Sequence, residues 1–478
     1  MSVLHQVAVS ALTAGALFAV SPDPDNEASP ATDADQARAV LAAARGAPPV
    51  LCALAGRAVA NNWGRWSYEA PHPAEASGAF HWAISDQPDD DAVGVLLGGL
   101  AEPDACVQAI SARLLARARN DRARSGMRSA LMAEAPGTRT AAAVGLGLSD
   151  DHESVTALGR TLGDRDAEVR TAAAWALGAI GDRRAVAPLR ATLHDQIVAV
   201  RQTVALALGR LDDTTAVAAL AELLRTDPDE SVRQAAAEAL GRLESVAALP
   251  ALGAGLADRS APVRRVCAWA LGQIESPSSV PALVGALHDT DTEVRSTAVW
   301  ALGQIEDRGS VSALGTVLAG DREPEVRKVA AWALGQIEDA SAVPLLTRAL
   351  TDVDEDIRGT AAWALGQIEQ RPAPDALHGA LTDASPTVRK TVAWALGQIE
   401  DPASVAPLAR ALRDTDPEVR RAVVWALSQI DTDAARDAIV EVLRDTDPAA
   451  RAGAARALGR GQVNPWPWPQ PMPRPFPG

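Results

Sequence analysis

The 478-residue chain carries 61 acidic against 45 basic residues, a formal net charge of −16. This disfavours nonspecific attachment to a phosphate backbone and argues against nucleic acid as a partner. Apolar residues make up 47% but aromatic ones only 3%, so the core is built mainly from alanine and leucine, which suit closely approaching helices.

The chain opens on an apolar run from Val7 to Val20, followed by the polar, proline-containing stretch SPDPDNEASPATDADQ. The run has the length of a signal peptide and is short for a membrane span. It has no Arg or Lys ahead of it, so an apolar N-terminal helix in a cytoplasmic protein is the alternative to export or anchoring in the cell envelope. Residues 1–36 are expected to be this segment and a flexible linker. Residues 37–74 then form a degenerate first repeat that ends in the aromatic loop NNWGRWSYEAPHP, read as a cap over an open apolar end.

From there a period governs the sequence. Taking Trp394 as a marker, equivalent positions are Trp82, Arg113, Val144, Trp175, Leu206, Glu238, Trp269, Trp300, Trp332, Trp363, Trp394, Trp425 and Arg456. Each step is 31 residues except Leu206 to Glu238 and Trp300 to Trp332, which are 32. Within residues 401–431, Val405, Leu408, Ala409 and Leu412 recur at helical spacing. The Asp414 to Pro417 stretch breaks the pattern, and Val419, Ala422, Val423, Ala426, Leu427 and Ile430 resume it. Each unit is therefore predicted to be a helical hairpin, helix A then helix B, that buries its apolar faces only by stacking on its neighbours.

The recurring D-x-D-x-x-V-R-x-x-A-x-x-A-L-G-x-I, followed by a helix with P-L at its centre, resembles the short HEAT-like repeat of the phycobilin-lyase type. The resemblance spans roughly residues 75–460. It implies an all-α solenoid of about thirteen hairpins, with A helices outside and B helices along the concave side. The repeat region is taken as 75–462 and the following residues, 463–478, as a tail. An arginine five residues before the marker, from Arg139 to Arg451, and an aspartate eleven before it, from Asp164 to Asp445, run through units with and without tryptophan. They are read as structural, the aspartates holding the A–B turn or capping helix B and the arginines bridging to the adjacent loop.

Advancing helix B by about 100° per residue puts each marker far from the middle of the apolar arc. The indoles of Trp269, Trp300, Trp332, Trp363, Trp394 and Trp425 are therefore expected to point away from the core; the alternatives to a binding role are that they cover gaps between B helices or that recently duplicated units have not diverged. A row of Gln273, Gln304, Gln336, Gln367, Gln398 and Gln429 runs one turn further along. The pair of rows is similar to the armadillo-repeat groove, where Trp and Asn hold an extended peptide. It suggests a partner protein bound through an extended, proline-containing or basic segment, with Glu275, Glu306, Glu338, Glu369, Glu400 and Asp431 favouring Arg or Lys on that ligand. On this reading, replacing Trp332, Trp363 and Trp394 by alanine abolishes binding and leaves melting nearly unchanged.

The tail has proline at every second position from Pro465 to Pro477, which excludes helix and favours polyproline II. It is a candidate ligand for the chain's own groove through residues 464–478. Cys52, Cys106 and Cys267 lie far apart, and no disulfide framework or CxxC metal site is expected.

The enzyme alternatives have thin support. The family resemblance admits a bilin lyase, whose flat chromophore the tryptophans could stack. HEAT-like hydroxylases hold metal with several His-Glu pairs, and this chain has one, His152-Glu153. No GxSxG, HExxH or P-loop is present. The expectation is a scaffold without catalysis, cofactor or metal.

Overall fold

A computed structural model describes residues 32–47, 87–118 and 120–459. The apolar N-terminal run, the aromatic loop, Trp82 and the proline-rich tail lie outside them. The described residues divide into two compact units, one up to Leu243 and one from Glu244. Each is a stack of helical hairpins, an α-solenoid without strands among the described residues.

The first unit begins with α1 (Asp33–Ala44) and continues through α2 (Asp90–Ala101), α3 (Ala105–Arg117), α4 (Asp121–Ala130), α5 (Pro136–Leu148), α6 (Val155–Thr161), α7 (Ala167–Ile180), α8 (Val186–Thr192), α9 (Val198–Gly209), α10 (Val217–Thr226) and α11 (Glu230–Arg242). The second runs α12 (Leu249–Gly255), α13 (Ala261–Gln273), α14 (Val280–Ala286), α15 (Thr292–Ile305), α16 (Val311–Gly320), α17 (Pro324–Ile337), α18 (Val343–Ala349), α19 (Glu355–Ile368), α20 (Asp375–Gly379), α21 (Pro386–Ile399), α22 (Val405–Ala411), α23 (Pro417–Ile430), α24 (Asp433–Val442) and α25 (Pro448–Leu458). Odd-numbered helices from α3 onward are the B helices, and within each unit each B helix packs on the next.

The helices are short because each unit has strong stop and start signals. Helix B begins on an N-cap whose carboxylate takes up orphan amides: Asp416 accepts from the amides of Glu418 and Val419, and Asp354 from those of Asp356 and Ile357. Several A helices last seven residues and follow a single 3-10 turn, as at Pro402–Ser404 before α22. The two 32-residue steps have a local cause. The extra residue falls in α10 and α16, each lengthened to ten residues and running directly into the A–B turn.

The arginine and aspartate ladders form as the sequence suggests. Arg358 donates through Nε to Oδ2 of Asp383 at 2.7 Å and through Nη2 to Oδ1 at 2.9 Å. Its Nη1 donates to the carbonyl of Asp352 in its own A–B turn. Asp383 Oδ1 also accepts from the amide of Ser385, which pins the next turn. Nine such bridges lie within the units, three in the first and six in the second. No side chain in them is more than 16% exposed. The turn-holding aspartate and the N-cap are distinct residues, Asp414 and Asp416 for example.

Cys106 is disulfide-bonded, a bond that the wide spacing of the cysteines did not lead one to expect. Cys267 is a free thiol on the buried side of α13, its pKa pushed up by desolvation.

Candidate functional site

The tryptophans do not point into solvent. Trp300, Trp332, Trp394 and Trp425 are only 3%, 5%, 7% and 5% exposed, and Trp269 and Trp363 are half-buried. The helical-wheel expectation fails for a physical reason. Helix B has neighbours on three sides, its own A helix and the B helices before and after it, so a position well off the apolar arc lies in the contact between B helices.

The indoles of Trp300, Trp332, Trp363, Trp394 and Trp425 each reach toward the preceding hairpin and cover a glycine there. A Cβ on Gly303 would stand 2.8 Å from Cζ3 of Trp332 and 3.0 Å from Cα of Ala333. The same arrangement joins Gly272 to Trp300, Gly335 to Trp363, Gly366 to Trp394 and Gly397 to Trp425, and in the first unit Gly147 to Trp175. The signal was present in the sequence. Every tryptophan marker from Trp175 on follows a unit with glycine at this place, including Gly241 before Trp269. Three of the five described markers that are not tryptophan, Arg113, Val144 and Arg456, follow Ser85, Ala116 and Ser428 instead. The ring and the missing side chain are complementary parts of one joint.

Such close approach fixes the spacing of the B helices. With glycine and alanine at the contact, consecutive axes lie toward the short end of the usual interhelical range, about 8–9 Å apart.

The glutamines stand elsewhere. Gln273, Gln304, Gln336, Gln367 and Gln398 are half-buried and Gln429 is exposed. Gln429 donates to Oγ of Ser428 at 3.3 Å; the other five side-chain amides make no hydrogen bond among the described residues. Glu275, Glu306, Glu338, Glu369, Glu400 and Asp431 are exposed at the ends of the B helices, all with positive φ of 44–55°. A left-handed residue other than glycine costs about 1 kcal/mol or more, and Gly181 shows the relaxed alternative at the same place. A carboxylate there also meets the negative end of the helix dipole. Glu400 pairs with Arg371 and Asp431 with Arg436.

The single His-Glu pair is occupied by surface contacts: His152 Nδ1 lies 3.3 Å from Asp182, and Glu153 pairs with Arg128 at 2.6 Å. No cluster of His, Cys, Asp or Glu among the described residues could hold a metal ion.

Comparison with known proteins agrees with this architecture. A model of HEAT repeats matches at residues 140–201, 158–241, 193–265, 249–320, 311–386 and 373–459. The chain belongs to the HEAT-repeat family. Among solved HEAT-like structures it is similar to importin beta, with a TM-score of 0.58 and 15% identity over 95% of this chain and 69% of that one. It is also similar to Kap95p, the binding of which induces the switch loops of RanGDP to adopt the GTP-bound conformation. That match has a TM-score of 0.51 and 17% identity, and it covers 75% of this chain and 57% of Kap95p. A Kap121p mutant gives 0.51 and 12% over 88% and 53%. At these identities the likeness is one of fold, and the HEAT chain spans little more than half the length of the latter two. No curated protein sequence matches.

Proposed function

We propose that this HEAT-repeat chain is an interaction scaffold without catalysis of its own, and that the B-helix face of its second unit holds an extended segment of a partner protein. The observation that carries the reading is the row of five half-buried glutamines with no hydrogen-bond partner among the described residues. Unspent amide groups in register are suited to a ligand backbone. The indoles are the floor of this surface rather than its contacts, with only Trp269 and Trp363 partly open.

The spacing narrows the ligand. A polyproline II segment advances about 9.3 Å in three residues, close to the 8–9 Å between axes. A β-strand repeats every two residues, about 6.7 Å, and falls out of register within two units. The carboxylates at the helix ends favour Lys or Arg on such a ligand.

Replacing Gln304, Gln336 and Gln367 together by alanine should weaken binding of a proline-rich basic peptide at least tenfold while melting moves by no more than a degree or two, since these are surface changes. Fluorescence anisotropy with the labelled peptide, and with a Glu-for-Lys control, gives the readout. Equal affinity of the triple variant would exclude this surface.

We also infer an oxidising compartment, in keeping with the apolar N-terminal run. The support is the disulfide at Cys106, a bond that cytosolic thiol pools keep reduced. Alkylation of denatured, unreduced protein should modify one cysteine, Cys267. Modification of three would argue for the cytoplasm.

A further inference from the structure

The last described hairpin, α24–α25, has an open side. In preceding hairpins the residue before the indole, Ala331, Ala362 or Ala393, is wholly buried. It shares a stripe with the glycine four residues on, over which the next B helix lies. In α25 the corresponding residues are Ala455 and Gly459, and both are exposed. Val440 of α24 and Leu443, the residue that follows the helix, are 50% and 41% exposed. Ser428, in the glycine position of α23, faces a hairpin whose marker is Arg456, so the tryptophan ladder stops one unit before the last described hairpin. A hairpin with no following neighbour among the described residues leaves apolar surface that a terminal repeat normally replaces by a polar one.

The chain continues from Gly459, at the end of this stripe, into RGQVNPWPWPQPMPRPFPG. We propose that residues 465–476 lie along the open face of α24–α25 as a cap, with Trp466, Trp468, Met472 and Phe476 supplying the apolar cover. Proline at every second position removes the amide donor there. Such a chain can displace water from a helix face and strand few N–H groups. The reach is sufficient: eight residues of extended chain from Gly459 to Pro467 cover about 25 Å, and the eleven residues of α25 about 16 Å. The same two-residue alternation is out of step with the glutamine row, which repeats once per three residues of a polyproline II chain, so the end face is the better seat for this segment.

Hydrogen exchange on the full chain and on a chain shortened after Asn464 tests the cap. Amides of α24 and α25 should exchange at least tenfold faster in the shortened chain, with α13 to α21 unchanged, and a synthetic 465–478 peptide should restore protection in trans. Ala455→Glu should reproduce the loss in the full chain and add nothing to the shortened one. Equal exchange in the two forms overturns the proposal. So does protection that rises with protein concentration in both, which would assign the face to a second copy of the chain. Neither result bears on the glutamine row, whose binding is read separately.

Discussion

Replacing Trp332 by alanine is expected to destabilise the second unit by about 3–5 kcal/mol, the usual cost of emptying a buried tryptophan site. The ring is 5% exposed and lies on Gly303. Filling the space at the partner glycine should also destabilise, by overpacking. Gly303→Ala places a methyl 2.8 Å from Cζ3 of Trp332 and 3.0 Å from the Cα of Ala333, an overpacking cost of about 1–3 kcal/mol. Combining it with Trp332→Leu should recover only part of the loss, because the backbone of Ala333 still obstructs the methyl. Ser428→Gly, in the one ladder unit with no indole after it, should be close to neutral. Trp332→Phe is informative too: the indole Nε1 is buried with no hydrogen-bond partner among the described residues, so losing it relieves an orphan donor and the change should cost far less than alanine. Thermal and urea unfolding of the set would check the pattern. A Trp332→Ala protein that melts like the parent and no longer binds would restore the indoles to the recognition surface.

The second large effect belongs to the arginine ladder. Arg358→Met should cost about 3 kcal/mol, since it leaves the Asp383 carboxylate and the Asp352 carbonyl without their shared donor in a largely buried turn. The loss should depend on pH in a definite direction. The hydrogen bonds from Arg358 hold the Asp383 carboxyl below the ordinary carboxylate range, and Asp164, Asp195, Asp289 and Asp445 are lowered in the same way by their own arginines. A group whose pKa is lower folded than unfolded contributes stability that is complete above its unfolded value, about 3.9 for aspartate, and lost as pH falls through the folded value. The gap in melting temperature between parent and variant should therefore be widest near neutrality and close below about pH 4. A gap that stays constant down to pH 2 would mean the guanidinium acts by packing alone. With six bridges in series in the second unit, the parent itself should unfold steeply in acid.

The period, the hairpin and both charged ladders were legible in the sequence because each rests on local rules that every copy obeys: helical spacing of apolar residues, an aspartate before each helix start, a break between A and B. The role of the tryptophans was not. A helical wheel assigns a direction relative to one apolar arc, and in a stacked helix the environment at that angle is set by the hairpins on either side. The clue that did exist, glycine before every tryptophan marker from Trp175 on, joins residues about 28 apart and acquires meaning only when the helices they sit on are known to touch.

The sequence by itself determined that this chain is a row of all-α hairpins, since a repeated pattern with no other way to bury its apolar faces must stack. Tertiary structure alone decided which repeated residues are mortar and which are free. Close approach of the B helices at glycine and alanine leaves no room for the indoles to face solvent, and leaves five of the six glutamine amides, one turn further on, without a hydrogen-bond partner among the described residues.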